Sequence, residues 1–368
     1  MPIQTMPPET TQFDILPPDS PRWRSLLNHI PHDIYQLPGY LLVEAARTHT
    51  RPEAMVIEEG NRVLLAPYLL RRCGDLAGGN VDALDAVSPY GYPGLLLSEA
   101  AQGDAAFVNR AIAQLSAGLK EKGVCSAFFR LHPWLNADFQ SAVPGCTVVD
   151  HGETVAIDLT LSEAQLWNQT KSGHRNKINR CRRQGWQARL VPCATHLPLF
   201  VEIYTETMAR VGAAGTYFEF DRGYFEGLHQ ALGDRLHLCV VEAEGETISA
   251  GLYSESHGIV QALFGGTRTA FLRQSPTTLE TDCVRQWAKA RGNRVLHLGG
   301  GVGAAKDPLF EFKAGFSPGR WRFQSLRLVP DPAQYQTLVE RRAKALGVTP
   351  AALTQGQFFP AYRATVEE

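Results

Sequence analysis

The sequence predicts an α/β protein of two tandem halves, each a mixed, mostly antiparallel sheet flanked by helices. Three observations carry this reading. The chain has 368 residues, more than one hydrophobic core usually organises, so two domains are the natural expectation. The order helix–helix–hairpin–strand–helix–strand can be read twice along it, without obvious identity between the two passes. Between the passes lies a strongly basic segment unlike anything on either side.

In the first half, Phe13–Leu16 reads as a short strand, and Ser20–Ile30 as a helix with Pro21 in its first turn. A second helix is expected over Leu37–Arg47. Ala54–Ile57 and Val63–Leu70 alternate with a turn at Glu58-Glu59-Gly60-Asn61, which is a hairpin signature. After Ser88-Pro89-Tyr90-Gly91-Tyr92-Pro93-Gly94, Leu95–Leu97 reads as the next strand. Asp104–Lys122 places Phe107, Ile112, Leu115 and Leu119 at helical spacing and stops at Gly123. Cys125–Leu131 returns to strand character. The second half runs through helices Leu197–Val211 and Tyr224–Leu232, then strands Leu236–Val241 and Ile248–Tyr253 around Glu244-Gly245-Glu246. Strand Ile259–Phe264, helix Thr277–Ala290 and strand Arg294–Leu298 complete it. The boundaries expected are a disordered 1–11, a first domain at 12–160, a basic linker helix at 161–185, a second domain at 186–330 and a helical extension at 331–368.

Composition removes several classes of function. A net charge of −1 argues against indiscriminate coating of nucleic acid, while leaving room for a local basic patch. No run approaches the roughly 18 apolar residues of a membrane span. The first residues, MPIQTMPPETTQ, have neither the basic start nor the apolar run of a secretory signal. Seven cysteines (73, 125, 146, 181, 193, 239 and 283) are scattered without CxxC spacing. Neither a zinc site nor a disulfide framework is expected, and a reducing cytoplasm fits.

Two segments stand out. From Lys171 to Arg183 there are six Lys/Arg and no acid. At helical spacing Arg175, Asn179, Arg182 and Arg183 share one side while Ile178 and Cys181 turn inward. Such a run is either a solvated amphipathic helix or a docking surface for phosphates. Further on, Gly299-Gly300-Gly301-Val302-Gly303 follows a strand but lacks both GxGxxG and GK[ST] spacing. It reads better as a permissive backbone path that lets Asp307–Phe316 pack closely. In that stretch Asp307-Pro308 starts a helix and Gly315 stops it. Lys313 then lies beside Phe312 and Phe316, either with its stem on apolar surface and its head in water, or partly desolvated for chemistry.

Taken together, Ser88–Gly94, Gly173-His174-Arg175-Asn176-Lys177-Ile178-Asn179-Arg180 and Leu309-Phe310-Glu311-Phe312-Lys313-Ala314-Gly315-Phe316 resemble the Fem family of aminoacyltransferases over roughly residues 12–330. That resemblance implies two GNAT-like domains and transfer of an amino acid from aminoacyl-tRNA to an amine. It places Lys313, with Phe312, at the donor ester, and suggests Lys171, Arg175, Lys177, Arg180 and Arg183 as donor-binding cations. Arg130-Leu131-His132-Pro133 is similar to the family's Arg-Ile-Asp-Pro, with His132 where an acid that reaches the acceptor is expected. His132 is therefore a candidate to receive the amine proton or hold the acceptor, or else a cap on the strand end. Tyr90, Tyr92, Arg130, Trp134, Arg210, Tyr217 and Tyr224 are the implied acceptor-binding set.

The expected chemistry is aminolysis of an activated ester, with Lys313 stabilising the developing oxyanion or departing oxygen. No covalent acyl-enzyme, metal or bound cofactor is expected, only aminoacyl-tRNA as co-substrate and a small amine acceptor. With His132 in place of the acid, a specialised-metabolite amine fits better than a cell-wall precursor. The close rival is an acyl-CoA donor. It is disfavoured because Leu272-Arg273-Gln274-Ser275-Pro276-Thr277-Thr278 has no glycine at the expected pyrophosphate turn. A reading of another class is a non-catalytic, RNA- or partner-binding duplicated GNAT.

Overall fold

The computed structural model describes residues 12–74, 82–212, 220–356 and 358–364. In chain order the elements are β1 (Gln12–Leu16), α1 (Pro21–Leu27), α2 (Pro38–Thr48), β2 (Arg51–Glu59), β3 (Arg62–Arg72), β4 (Leu84–Val87), β5 (Leu96–Leu97), α3 (Ala105–Glu121), β6 (Val124–Arg130) and β7 (Cys146–Asp158). Then come α4 (Glu163–Gln169), α5 (Ser172–Arg183), β8 (Gln187–Val191), α6 (Cys193–Arg210), α7 (Arg222–Leu232), β9 (Leu236–Ala243), β10 (Glu246–Ser256) and β11 (Ile259–Thr267). The last are α8 (Thr277–Ala290), β12 (Val295–Gly299), α9 (Pro308–Ala314), β13 (Arg320–Leu328), α10 (Pro332–Leu346) and α11 (Pro350–Thr354). Among the described residues no helix is long and apolar enough to cross a membrane, and all seven cysteines are free thiols.

The chain divides into two compact units, one of residues 1–151 with 323–368 and the other of residues 152–322. In the first, strands run in the order β1-β2-β3-β4-β6-β13, with β5 added to β3. Among the described residues of this unit only β4 and β6 pair in parallel, and α3 lies between them in the chain. The apolar stripe of α3 explains its place: Phe107, Val108, Ala111, Ile112, Leu115 and Leu119 are buried against Met55, Ile57, Tyr68 and Phe129. Each large side chain so buried stabilises by about 1.5–3 kcal/mol. In the second unit the order is β7-β12-β11-β10-β9-β8, again with a single parallel pair, β11–β12, joined by α8. Its core is formed by Val155, Ile157, Val241, Ile248, Leu296, Phe310 and neighbours.

The double reading of the element order is met, with two differences in strand assignment and with packing found for the two flanking segments. The strand beside β6 is Leu84–Val87, while Leu95–Leu97 yields only the two-residue β5 on β3. The sixth strand of the first unit comes from the far end of the chain: β13 pairs with β6 in the register Ser325↔Arg130 to Leu328↔Ala127, and buries Leu326 and Leu328 in that core. Residues 161–185 are no free linker, since Ile178 and Cys181 are fully buried in the second core. The C-terminal extension belongs to the first unit, where Leu338, Val339, Leu353 and Tyr362 cover Cys73, Ala83 and Cys125. The segment 1–11 lies outside the described residues.

Candidate functional site

Helix α9 is short but firmly started. Asp307 accepts hydrogen bonds from the Phe310 N–H (2.8 Å) and the Val302 N–H (2.9 Å), and Pro308 occupies the first turn. These backbone donors hold the Asp307 carboxyl below its usual range. With Phe310 and Ala314 anchored in the core, Lys313 turns inward and its Nζ donates to the Gly300 carbonyl at 2.6 Å. Burial lowers its pKa to about 8, with Asp307 opposing. The glycine run is a close-packing device: a Cβ on Gly301 would lie 2.1 Å from the Ala305 carbonyl oxygen.

Helix α5 is fastened to the end of α9. The Lys171 N–H donates to the Gly315 carbonyl at 2.7 Å. His174 Nε2 lies 2.8 Å from the Phe312 carbonyl, which can only accept, so Nε2 carries the proton. The imidazole packs against Phe312 and edge-on to Phe316, with centroids 5.3 and 4.6 Å away. Burial lowers the His174 pKa, keeping the ring neutral in that role. A Cβ on Gly315 would stand 2.4 Å from His174 Nε2, which is why glycine follows Lys313-Ala314.

The basic face divides into scaffold and surface. Arg175 donates to the Trp167 carbonyl and Arg180 to the Gln274 carbonyl. Arg182 pairs with Asp282 at 2.6 Å and lies over Trp167. The exposed Lys171 ammonium is 3.7 Å from Glu311. Lys177 and Arg183 have no acidic partner within 4.0 Å among the described residues. The six cations are thus unequal, and Arg175 and Arg180 do structural duty that helical spacing alone does not reveal.

At the β11–α8 turn, Ser275 is left-handed (φ 56°). The Thr278 N–H is directed to the Ser275 carbonyl and the Leu279 N–H to the Pro276 carbonyl. Arg180 braces the same turn through Gln274. At the corresponding helix of the first unit, the Asp104 carboxylate caps the Phe107 N–H and binds Arg62. A phosphate needs N–H groups open to it; the first turn is closed on itself and the second carries a negative charge.

In the first unit the Ser88–Gly94 loop is pinned from several elements. Tyr40 donates to the Tyr90 carbonyl (2.8 Å), Glu44 accepts from the Tyr90 N–H (3.1 Å), Gln36 donates to the Pro93 carbonyl, and the Gly94 N–H donates to the Arg130 carbonyl (2.7 Å). Gly91 has φ +92° with the Tyr35 ring against its α-carbon, so no side chain fits there. Tyr92 and Trp134 are half-buried, and Tyr92 meets Phe323 edge-on at 5.3 Å.

Three of the expected site residues have structural partners. His132 is 1% exposed. Its Nδ1 accepts from the Trp134 and Leu135 N–H groups, both at 3.1 Å, which puts the proton on Nε2, 3.1 Å from Asp33 Oδ2. Asp33 in turn caps Ile34. Both ring nitrogens are engaged, so in this structure His132 clamps the turn, the strand-end role named above as the alternative. Tyr224 belongs to an aromatic core with Phe220, Phe225 and Phe264. Arg210 donates to the Thr267 carbonyl and Thr269 hydroxyl, holding the end of β11. Tyr217 lies outside the described residues.

Sequence reasoning passed over Glu280. It is buried on α8, accepting from Ser249 (2.7 Å) and Tyr253 (2.9 Å), and desolvation raises its pKa to about 7. An acid at an inward helical position of Thr277–Ala290 was the available signal.

Residues 168–313, from before α5 through Lys313, match the acetyltransferase (GNAT) domain family. No curated protein matches the chain by sequence. Among solved structures, FemX shares 13% identity at TM-score 0.66, covering 89% of this chain and 99% of FemX. The C-terminal domain of a protein named as a lysylphosphatidylglycerol synthetase from Agrobacterium fabrum shares 16% at TM-score 0.52, covering 90% and 95%. L-PGS from Bacillus licheniformis shares 15% at TM-score 0.52, covering 88% and 95%. The likeness extends over nearly the whole of each partner, both units included, and the chain has a tandem GNAT-like fold similar to that of FemX.

Proposed function

We propose that this protein is an aminoacyltransferase that uses aminoacyl-tRNA to form an amide on an amine of a small acceptor. The observation that carries the reading is Lys313. It is a desolvated lysine, with its pKa at about 8, hydrogen-bonded to Gly300 and mounted on a helix fastened directly to the basic helix α5. The closed turn before α8 and the acid before α3 disfavour a CoA pyrophosphate in either unit. The likeness to FemX and to lysylphosphatidylglycerol synthetases points the same way, by analogy of fold.

In the proposed reaction the neutral acceptor amine attacks the ester carbonyl. The C–N bond forms, an oxyanion develops, and collapse breaks the C–O bond to the ribose. The departing oxygen takes a proton and the amine nitrogen loses one, so the sum is amide plus uncharged tRNA. A cationic Lys313 lowers the cost of negative charge on the oxyanion or the departing oxygen. Lys177 and Arg183 meet backbone phosphates of the donor. No cofactor is needed, and the chemistry suits the cytoplasm, where charged tRNA is found.

The test is titration with charged tRNA, uncharged tRNA and acetyl-CoA at two salt concentrations. Micromolar tRNA binding that weakens with salt and falls in the Lys177→Ala/Arg183→Ala variant supports the proposal. Saturable acetyl-CoA binding without tRNA binding makes the protein an acyl-CoA N-acyltransferase instead.

A further inference from the structure

The first unit gathers cationic and aromatic side chains on one face of β6 and β13, where Phe359 packs against Phe128 and Arg327. Arg130 is directly opposed to Ser325, and Phe128 to Arg327. Opposed residues in an antiparallel ladder project to the same side, as do residues two apart on one strand. Phe128, Arg130, Phe323, Ser325 and Arg327 therefore share a face. His151 stands over it, with Nε2 2.7 Å from the Ser325 hydroxyl and its ring 5.2 Å from Phe323.

Arg130 is the unusual member. A guanidinium has five N–H donors, and here Nη1 donates to the Pro89 carbonyl at 3.3 Å while the group lies over Phe128 at 5.6 Å. Among the described residues no carboxylate pairs with it within 4.0 Å. Glu44 is the nearby acid, and it is bound to Arg47 and to the Tyr90 N–H. Glu44 acts on Arg130 with opposite charge from beyond contact distance and Arg71 with like charge; Arg327 acts on His151 with like charge and Asp150 with opposite charge. Desolvation pushes the Arg130 pKa down. A desolvated cation that no carboxylate contacts gains from an anion that joins it. A forked guanidinium binds phosphate or carboxylate through two parallel hydrogen bonds.

We infer that this face carries an anion subsite that binds a phosphate or carboxylate group of the acceptor, with Arg130 as its main ligand and the Ser325–His151 pair and Tyr92 beside it. The word acceptor rests on the acyltransferase reading; the anion site itself does not. The acceptor is then an amine that also bears an acidic group, and that group orients it.

Calorimetric titration of the full chain with pyrophosphate, glutarate and neutral glycerol tests this. One of the two anions is expected to saturate the wild type, and to bind at least about tenfold more weakly to Arg130→Met, as lost charge-assisted bonds require. Preference for pyrophosphate assigns a phosphorylated acceptor, and preference for glutarate a carboxylate. Arg130→Met is also expected to melt no lower than the wild type, because it removes a desolvated charge that no carboxylate contacts. Arg130→Lys keeps the charge and loses the fork, so it covers the case in which the methionine variant does not fold; it too is expected to bind the anion more weakly. No saturable anion binding by the wild type, or binding unchanged in Arg130→Lys, overturns the proposal. So does a lower melting temperature in Arg130→Met that Arg130→Lys restores. None of these titrations contains tRNA, so their failure beside intact tRNA binding leaves the donor reading standing, and the reverse result separates the two equally well.

Discussion

His174 donates its Nε2 proton to the main-chain carbonyl of Phe312 at 2.8 Å, and its ring occupies the space a side chain at position 315 would need. Through this contact the first turn of the basic helix sets the last turn of the helix that carries Lys313. The placement of the basic helix and that of the lysine are coupled within one unit.

Gly315→Ala is expected to displace the imidazole, because its Cβ falls 2.4 Å from Nε2. His174→Ala leaves the Phe312 carbonyl without its donor, at a cost of about 1–3 kcal/mol if no water replaces it. Both variants should lower kcat more than they weaken tRNA binding. Steady-state kinetics beside a filter-binding assay checks this; loss of tRNA affinity with unchanged kcat contradicts it.

Lys313 acts as a cation in the proposed reaction, so its protonated form is the active one. With its pKa at about 8, the rate is expected to fall as pH rises through that value. In Lys313→Arg the falling limb should move above the measurable range, since arginine stays charged. Lys313→Ala should lose a hundredfold or more, about 3 kcal/mol of transition-state stabilisation. A rate that instead climbs through pH 8 and levels off would assign the lysine as a base.

Glu280 gives stability an inverse dependence on pH. Its folded pKa, about 7, lies above the unfolded value of 4.5. The native state therefore holds the extra proton between these values, and the stability present below pH 4.5 declines as pH rises to 7 and beyond. Glu280→Gln should flatten that window, where the slope for one group is at most about 1.4 kcal/mol per pH unit. Thermal melts of both proteins from pH 4.5 to 8 decide it, and parallel curves refute it.

His132 is expected to behave as a structural clamp. His132→Ala strands two backbone N–H groups and the Asp33 carboxylate, each worth about 1–3 kcal/mol when buried and unsatisfied. The melting temperature should drop by several degrees, while the shape of the pH–rate profile at a permissive temperature stays that of the wild type. A lost acidic limb with an unchanged melting temperature would restore the catalytic reading.

Much of the candidate donor site was legible because its determinants are local. Asp307-Pro308 and Gly315 mark the ends of α9, and the position of Ile178 and Cys181 among the cations shows which side of α5 is buried. The roles of single cations were not legible. Arg175 and Arg180 differ from Lys177 and Arg183 only in what lies across from them, the Trp167 and Gln274 carbonyls. His132 read equally as a proton acceptor and as a strand-end cap because sequence shows a residue type, not whether both of its nitrogens are already bonded.

By itself the sequence determined the repeated α/β order, the hairpins and the helix that carries Lys313. These follow from periodicity, capping residues and turn residues acting over a few positions. Only the tertiary structure decided that β13 completes the first unit beside β6, that Leu84–Val87 is its parallel partner, and that the C-terminal helices cover the same unit. It also decided the desolvation of Lys313, Glu280 and Arg130. Strand partners far apart in the chain are selected by which apolar faces and open ladder edges meet. The pKa of a buried group is set by neighbours that sequence separation does not reveal.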